Sequence, residues 1–266
     1  MSISLLEKAK KLQPQTVKDR RYLHQNAEVG FDLPKTAAYI SNRLKSIGYD
    51  PQVVGRCAIT AEIGEGEECF LLRADMDALP FAERSGESFA AKNGNMHACG
   101  HDLHAAMLLG VAELLKGEER RLHRRIRLLF QPAEELLEGA KDCVSAGVLD
   151  GVTGGVMLHV LPSMPFAVGT AIVSSEGVSA PAADFFELTV LGKGCHGSSP
   201  WQGVDALLIG AKTVLAMQTL AAREISPLAP STLTFGQFTQ GMPIMQSLSV
   251  RYFRERFAQR TKKRAS

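Results

Sequence analysis

Three short apolar runs, separated by helical patterns, constrain the fold of this chain more than any other feature. The runs cover residues 69–75, 126–131 and 155–159, and the helical patterns between them cover 102–115 and 135–146. Runs of this length are typical of strands buried on both faces, which occur where helices cover a parallel sheet. We therefore predict an α/β fold with a mostly parallel sheet flanked by helices.

The residues before the first run predict two helices and a pair of strands. Apolar side chains at helical spacing indicate helices over 4–26 and 36–47, the second ended by Gly48. Residues 52–63 predict two strands around Gly55.

Polar side chains stand at the end of each apolar run. Asp75 and Asp77 end the first run, Glu134 and Glu135 follow the second, and His159 ends the third. In open parallel sheets, ligands bind beyond the carboxyl ends of the strands. The sequence therefore predicts a functional site at this edge of the sheet.

Residues 95–104 place three histidines, a cysteine and an aspartate directly before a helical pattern. Nitrogen and sulfur donors beside a carboxylate are the ligands of zinc or a similar transition metal. The alternative is a polar loop whose histidines cap a helix and whose cysteine is merely buried. Within this stretch, we expect His97 and His104 to lie in the loop or on the helix surface. We expect Asp102 to be the N-cap of the helix or to support a ligand.

A change of pattern near residue 178 predicts a second domain. Beyond it come a strand over 184–191, a loop containing His196, a helix over 204–223 and a strand over 231–238. We predict a smaller α+β satellite domain. The expected boundaries are 1–177 for the catalytic domain, 178–241 for a partial satellite domain and 242–266 for a basic tail.

Five motifs carry a resemblance to a known family. They are RADMDALP (73–80), MHACGHDLH (96–104), QPAEE (131–135), MLH (157–159) and GKGCHG (192–197). Their order and approximate spacing resemble the aminoacylase family of dinuclear metallopeptidases and amidohydrolases. Within it, the chain is most similar to hippurate hydrolase, plant auxin-conjugate hydrolases and N-acetyl-diaminopimelate deacetylase. The resemblance runs from about residue 20 to residue 241.

The resemblance implies a zinc-peptidase-like catalytic domain that binds two divalent ions, manganese or zinc, and hydrolyses N-acyl amino acids such as hippurate. It implies Glu134 as the general base and Asp75 as an acid that orients a ligand or helps the base. His196 would stabilise the tetrahedral oxyanion, often across a dimer interface, or else be an ordinary loop residue. The metal ligands implied are Cys99 as a bridging thiolate, His101, Glu135 and His159.

General chemistry agrees with these roles. Two metal ions lower the pKa of bound water and polarise the carbonyl of an amide. A carboxylate that is not a ligand can then move the proton of that water to the leaving amine. Taken alone, Glu134 and Glu135 favour a solvated helix start, where acids complement the helix dipole. Because they follow a buried strand and accompany the His101 and His159 motifs, we interpret them as site residues instead.

The C-terminal part departs from the family pattern. Family members supply one more histidine ligand, whereas none of the seven histidines here follows His196. We therefore expect a C-terminally truncated member whose basic tail is out-of-frame sequence. The alternative function is an inactive remnant that keeps partial metal binding or dimerisation. The tail lacks clustered aromatic residues, so we do not expect a nucleic-acid partner.

Composition indicates an ordinary globular protein of the cytoplasm. The five cysteines are scattered and never in CxxC spacing, which favours reduced thiols over a disulfide framework. The N-terminus lacks a secretory signal pattern, and no stretch approaches the roughly 20 apolar residues of a membrane span. By the resemblance, we expect a homodimer formed through the satellite domain.

Overall fold

The computed structural model describes residues 4–161, 164–173, 182–226, 231–240 and 247–256. The chain divides into two compact units, Met1–Pro165 and Phe166–Ser266. The predicted boundary between residues 177 and 178 lies outside the described residues.

The first unit is a five-stranded sheet flanked by helices. The strands are β1 (Gln52–Val54), β2 (Ala58–Ile63), β3 (Cys69–Asp75), β4 (Arg125–Gln131) and β5 (Val152–Met157). Their order in the sheet is β1-β2-β4-β3-β5, with β3 parallel to both β4 and β5, and with antiparallel β1–β2 and β2–β4 pairs. The predicted α/β class is confirmed. The helices are α1 (Leu5–Gln25), α2 (Pro34–Ile47), α3 (His101–Gly117) and α4 (Gly139–Ser145), with a short 3₁₀ helix at Glu119–Arg121.

The core lies between the sheet and the first three helices. Ile40 and Leu44 of α2, Leu109 of α3 and Phe130 of β4 are all completely buried in one cluster. The buried face of α3 is rich in alanine, which lets this helix lie close to α1 and to β3. Close packing fixes the first turn of α3 beside the carboxyl ends of β3 and β4.

The fourth helix begins later than the pattern over 135–146 predicted. The residues before it form a tight loop in which Ala133 and Leu137 have φ angles of 50° and 56°. The loop folds back so closely that a Cβ on Gly139 would lie 1.6 Å from the main-chain oxygen of Pro132. Glu134 and Glu135 therefore lie in a strained loop rather than in a helix.

The described part of the second unit contains a three-stranded antiparallel sheet and one long helix. The elements are β6 (Ala182–Leu191), a 3₁₀ helix (Pro200–Gln202), α5 (Ala206–Arg223), β7 (Ser231–Gln240) and β8 (Ser247–Arg256). The strand order is β6-β8-β7. Among the helices of the described ranges, none has the length and apolarity required to cross a membrane.

The strand β8 lies within the predicted tail of 242–266. It pairs along its whole length with β6 and over residues 248–256 with β7, as the central strand of the sheet. Leu248, Val250 and Tyr252 alternate with polar residues, which is the two-residue period of a strand. We predicted a basic tail instead because of the nearby arginines. The prediction of a tail therefore does not describe residues 247–256. Residues 242–246 and 257–266 lie outside the described part of the chain.

Candidate metal centre

Polar side chains from four segments meet at the carboxyl edge of the parallel strands. The pairing of β3 with β4 places Asp75 beside Gln131, so both strands end at the same level. The loop after β4 carries Glu134 and Glu135, and α3 begins next to them at His101.

His101 is the most enclosed residue of this group. Its side chain is 0% exposed, and its Nδ1 lies 2.9 Å from the main-chain oxygen of Asp77. A carbonyl only accepts hydrogen bonds, so Nδ1 carries the proton and Nε2 presents its lone pair in the neutral ring. Nε2 has no hydrogen-bond partner and lies 3.9 Å from a carboxylate oxygen of Glu134 and 3.9 Å from one of Glu135.

Cys99 and His159 lie next to His101. The Sγ of Cys99 is 3.3 Å from Nε2 of His159, whose Nδ1 donates to the main-chain oxygen of Val160 at 2.7 Å. Three groups of potential metal ligands share His101, and within each group the ligand atoms lie within 4.8 Å of one another. The groups are Cys99–His101–His159, Asp75–His101–His104 and His101–Glu134–Glu135.

Asp77 organises the glutamate pair. Its carboxylate oxygens accept the main-chain N–H groups of Glu134 at 3.0 Å and Glu135 at 3.2 Å, while its main-chain oxygen holds His101. Sequence reasoning named Asp77 only as an acid at a strand end and gave it no role. The Asp-x-Asp spacing indicates that both carboxylates lie near the site, but it does not indicate which of them accepts backbone N–H groups.

Asp75 contacts a different set of partners. Its Oδ1 accepts from Nδ1 of His104 at 2.6 Å and its Oδ2 from Arg73 at 2.8 Å. Burial alone would raise the pKa of Asp75, but the hydrogen bond from His104 and the charge of Arg73 lower it to about 2.

The cluster has a strongly negative electrostatic character. Burial works to lower the pKa of His101, but contacts with Asp77 and Cys99 and the charge of Asp75 raise it to about 11. Burial also raises the pKa of Glu135. The field that raises the proton affinity of His101 also attracts a divalent cation.

These residues fit a divalent metal centre. Nε2 of His101 and Oε1 of Glu135 are buried polar atoms without a hydrogen-bond partner, and such atoms require a compensating ligand or ion. Thiolate, imidazole and carboxylate donors together suit zinc or manganese.

Comparison with known proteins places this site in a family context. Residues 71–253 match the family model described as peptidase family M20/M25/M40. The chain belongs to this family. The resemblance drawn from the five motifs is therefore confirmed, and the family match also extends 12 residues beyond residue 241, into β8.

Curated relatives of this M20 chain include two amidohydrolases. It is 40% identical over 234 residues to an N-acetyl-L-cysteine deacetylase of Bacillus subtilis, covering 86% of this chain and 56% of the relative. It is 40% identical over 228 residues to an N-acyl-L-amino acid amidohydrolase of Geobacillus stearothermophilus, covering 84% of this chain and 60% of the relative. The chain therefore spans less than two thirds of their length.

A solved structure is similar as well. A Bacillus subtilis dinuclear metal-binding peptidase of family M20 superposes with a TM-score of 0.69 at 30% identity, covering 94% of this chain and 66% of that one.

The structure corrects our prediction for His97 and His104. Both side chains are buried, at 5% and 2% exposure, rather than lying in the loop or on the helix surface. His104 lies one turn after His101 and shares its inward face, a consequence of helical periodicity that the polar character of the motif concealed. Burial lowers the pKa of His97 to about 4.

Asp102 is not the N-cap of α3. Gly100 occupies that position with a φ of 88°, and Asp102 lies in the first turn. Its Oδ2 accepts from Arg20 at 2.7 Å and from Nδ1 of His24 at 2.8 Å. Asp102 therefore joins α1 to the start of α3, close to His101.

Two further histidines are exposed. His123 is an exposed residue of the first unit. His196 is an exposed residue of the second unit whose Nδ1 contacts the hydroxyl and the main-chain N–H of Ser198. Its role in stabilising an oxyanion stays a prediction.

The lowered pKa of Asp75 predicts a pH-dependent stability. A carboxyl group whose pKa is lower in the folded chain stabilises it above the ordinary value near 4, and this contribution is lost as the pH falls toward 2. In the metal-free chain, Asp75→Asn is expected to lower the free energy of unfolding by about 2 kcal/mol at pH 7, and by progressively less below pH 4. Urea denaturation between pH 7 and pH 3 measures this difference. A constant difference over that range would contradict the prediction.

Proposed function

We propose that this chain binds two divalent ions, manganese or zinc, and hydrolyses the amide bond of N-acyl amino acids. The ligands proposed are Cys99, His101, Glu135 and His159. The observation that carries the proposal is the buried, unpartnered Nε2 of His101, which faces the two glutamate carboxylates.

When bound, the ions supply Lewis acidity and make water a nucleophile near neutral pH. Glu134 is the general base in this proposal. Its side chain is 34% exposed, so water and substrate reach it, and its main-chain N–H is held by Asp77. Its carboxylate takes the proton of the attacking water and delivers it to the leaving amine.

Asp77 and Asp75 act as positioning residues. Asp77 fixes both the glutamate pair and His101, so one side chain sets the distance between the base and a proposed ligand. Asp75 contacts Arg73 and His104 and makes no hydrogen bond to either glutamate among the described contacts. We therefore favour orientation of a ligand over assistance to the base as its role.

The names of the relatives support a substrate class. Their names specify N-acetyl-L-cysteine and N-acyl-L-amino acids, and we infer that hippurate, N-acetyl amino acids or similar conjugates are the substrates here.

We also propose a homodimer formed through the second unit, with His196 at the oxyanion. All five cysteines are free thiols, which supports a reducing compartment such as the cytoplasm.

Metal analysis combined with hydrolysis assays tests the function. The purified chain, loaded with Mn²⁺ or Zn²⁺, is expected to hold two ions and to release glycine from hippurate or free amino acids from N-acetyl derivatives. A folded chain with two ions and no turnover on a panel of N-acyl amino acids would contradict the activity. That result would favour the alternative of a metal-binding chain without catalysis.

A further inference from the structure

His104 links the carboxylate of Asp75 to the backbone beside His159. Its ring is buried, and both ring nitrogens have partners. Nδ1 lies 2.6 Å from Oδ1 of Asp75, and Nε2 lies 2.9 Å from the main-chain nitrogen of Val160.

These partners define the tautomer of His104. The main-chain N–H of Val160 is only a donor, so Nε2 must be unprotonated and accept this hydrogen bond. Nδ1 then carries the proton and donates it to Asp75. Although His104 belongs to one of the potential ligand groups, neither nitrogen has a free lone pair for a metal ion.

Val160 is fixed on a second side. A Cβ on Gly100 would lie 2.4 Å from Cγ2 of Val160, so the valine side chain fills the space that this glycine leaves open. His159 in turn donates from Nδ1 to the main-chain oxygen of Val160 at 2.7 Å. The imidazole of His159 is therefore attached to a residue whose own position His104 and Gly100 determine.

His159 needs such support. It is exposed and follows β5, which lies at the edge of the sheet among the described strands, so these strands hold it on one side only. The rings of His104 and His159 pack with centroids 4.6 Å apart in a T-shaped arrangement. Together these contacts direct Nε2 of His159 at Sγ of Cys99, 3.3 Å away.

We propose that His104 is a positioning residue that holds His159 in the orientation of a metal ligand. It acts through the peptide N–H of Val160, and Asp75 fixes the tautomer that this requires. The inference rests on the metal centre proposed above, and it assigns to His104 a function distinct from ligation. Partners that orient ligating histidines typically contribute 10–100-fold to metal affinity.

A double-mutant cycle tests this role. The metal-free full chain and its His104→Leu, His159→Ala and doubly substituted variants are titrated with Co²⁺, whose absorption spectrum reports nitrogen and thiolate coordination. His104→Leu is expected to weaken one of the two binding steps 10–100-fold. In the His159→Ala background, His104→Leu is expected to change the affinity less than about twofold, because the residue that it positions is already absent.

Two variants and one measurement distinguish a loss of positioning by His104 from misfolding of the variant. The exposed His123→Leu is the matched control and should bind Co²⁺ as the wild type does. His104→Gln keeps a donor and an acceptor and is expected to lose less affinity than His104→Leu. Two-bond ¹H–¹⁵N correlation spectra of the metal-free wild type are expected to show His104 protonated at Nδ1 and not at Nε2.

The outcomes separate this inference from the proposed function. A wild type that binds two Co²⁺ ions, with folded His104 variants of equal affinity, would overturn the role of His104 alone. An equal loss in both backgrounds, or a proton on Nε2, would also overturn it. A wild type that takes up no Co²⁺ would overturn the metal centre itself.

Discussion

Replacing Glu134 with glutamine is expected to lower kcat by about 10²–10⁴-fold, the usual contribution of a general base. Glutamine keeps the size of the side chain and leaves the main-chain N–H that Asp77 accepts. It removes the carboxylate that takes the proton, whereas the proposed ligands remain. We therefore expect KM and the content of two ions per chain to change little. Steady-state hydrolysis of an N-acyl amino acid and metal analysis of the same sample measure both effects.

The matched control for this variant is Glu138→Gln. Glu138 lies in the same segment, is exposed, and pairs only with the surface residue Lys141 at 3.1 Å among the described ion pairs. It should keep wild-type kcat. A Glu134→Gln variant that retains full kcat with both ions bound would assign the base to another residue. Loss of the ions from that variant would instead make Glu134 a ligand.

The layered fold was predictable because the elements that form it have a clear period. The runs over 69–75 and 126–131 became β3 and β4, and a left-handed Gly48 ends α2 as predicted. The run over 155–159 only overlaps β5, which begins at Val152 and ends at Met157. The start of α4 was not predictable in the same way. The pattern over 135–146 is helical, but Ala133 and Leu137 have positive φ angles in a loop that brings Gly139 against the main-chain oxygen of Pro132. The helical period of the sequence does not reveal this contact.

The candidate site was predictable in its residue types more than in its contacts. The strand ends and the cysteine–histidine motif indicated which side chains would meet, and Cys99, His101, Glu135 and His159 belong to overlapping clusters. The hydrogen bonds of Asp77 and His104 depend on which way each side chain points after α3 has packed on β3. A sequence pattern does not contain that information, so the supporting residues were missed or placed on the surface.

Replacing His101 with alanine is expected to reduce metal binding from two ions to fewer than one per chain. All three potential ligand groups contain His101, so no other substitution removes a donor from each of them. A ligand that binds only the folded chain stabilises it by about 2.7 kcal/mol when present at a hundred times its Kd. We expect Zn²⁺ to raise the free energy of unfolding of the wild type and to have little effect on His101→Ala. Metal analysis and urea denaturation with and without Zn²⁺ measure this.

The exposed His123→Ala provides the matched control, because it removes an imidazole from the same unit without touching the cluster. It should keep two ions and the full stabilisation by Zn²⁺. If His101→Ala also kept both ions with wild-type affinity, the buried Nε2 would not be a ligand. If Zn²⁺ stabilised neither the wild type nor the variant, the cluster would instead be a charge network in which Asp77, Cys99 and Asp75 favour protonation of His101. The effect of Zn²⁺ on the unfolding of these two proteins therefore decides between a metal centre and a charge network.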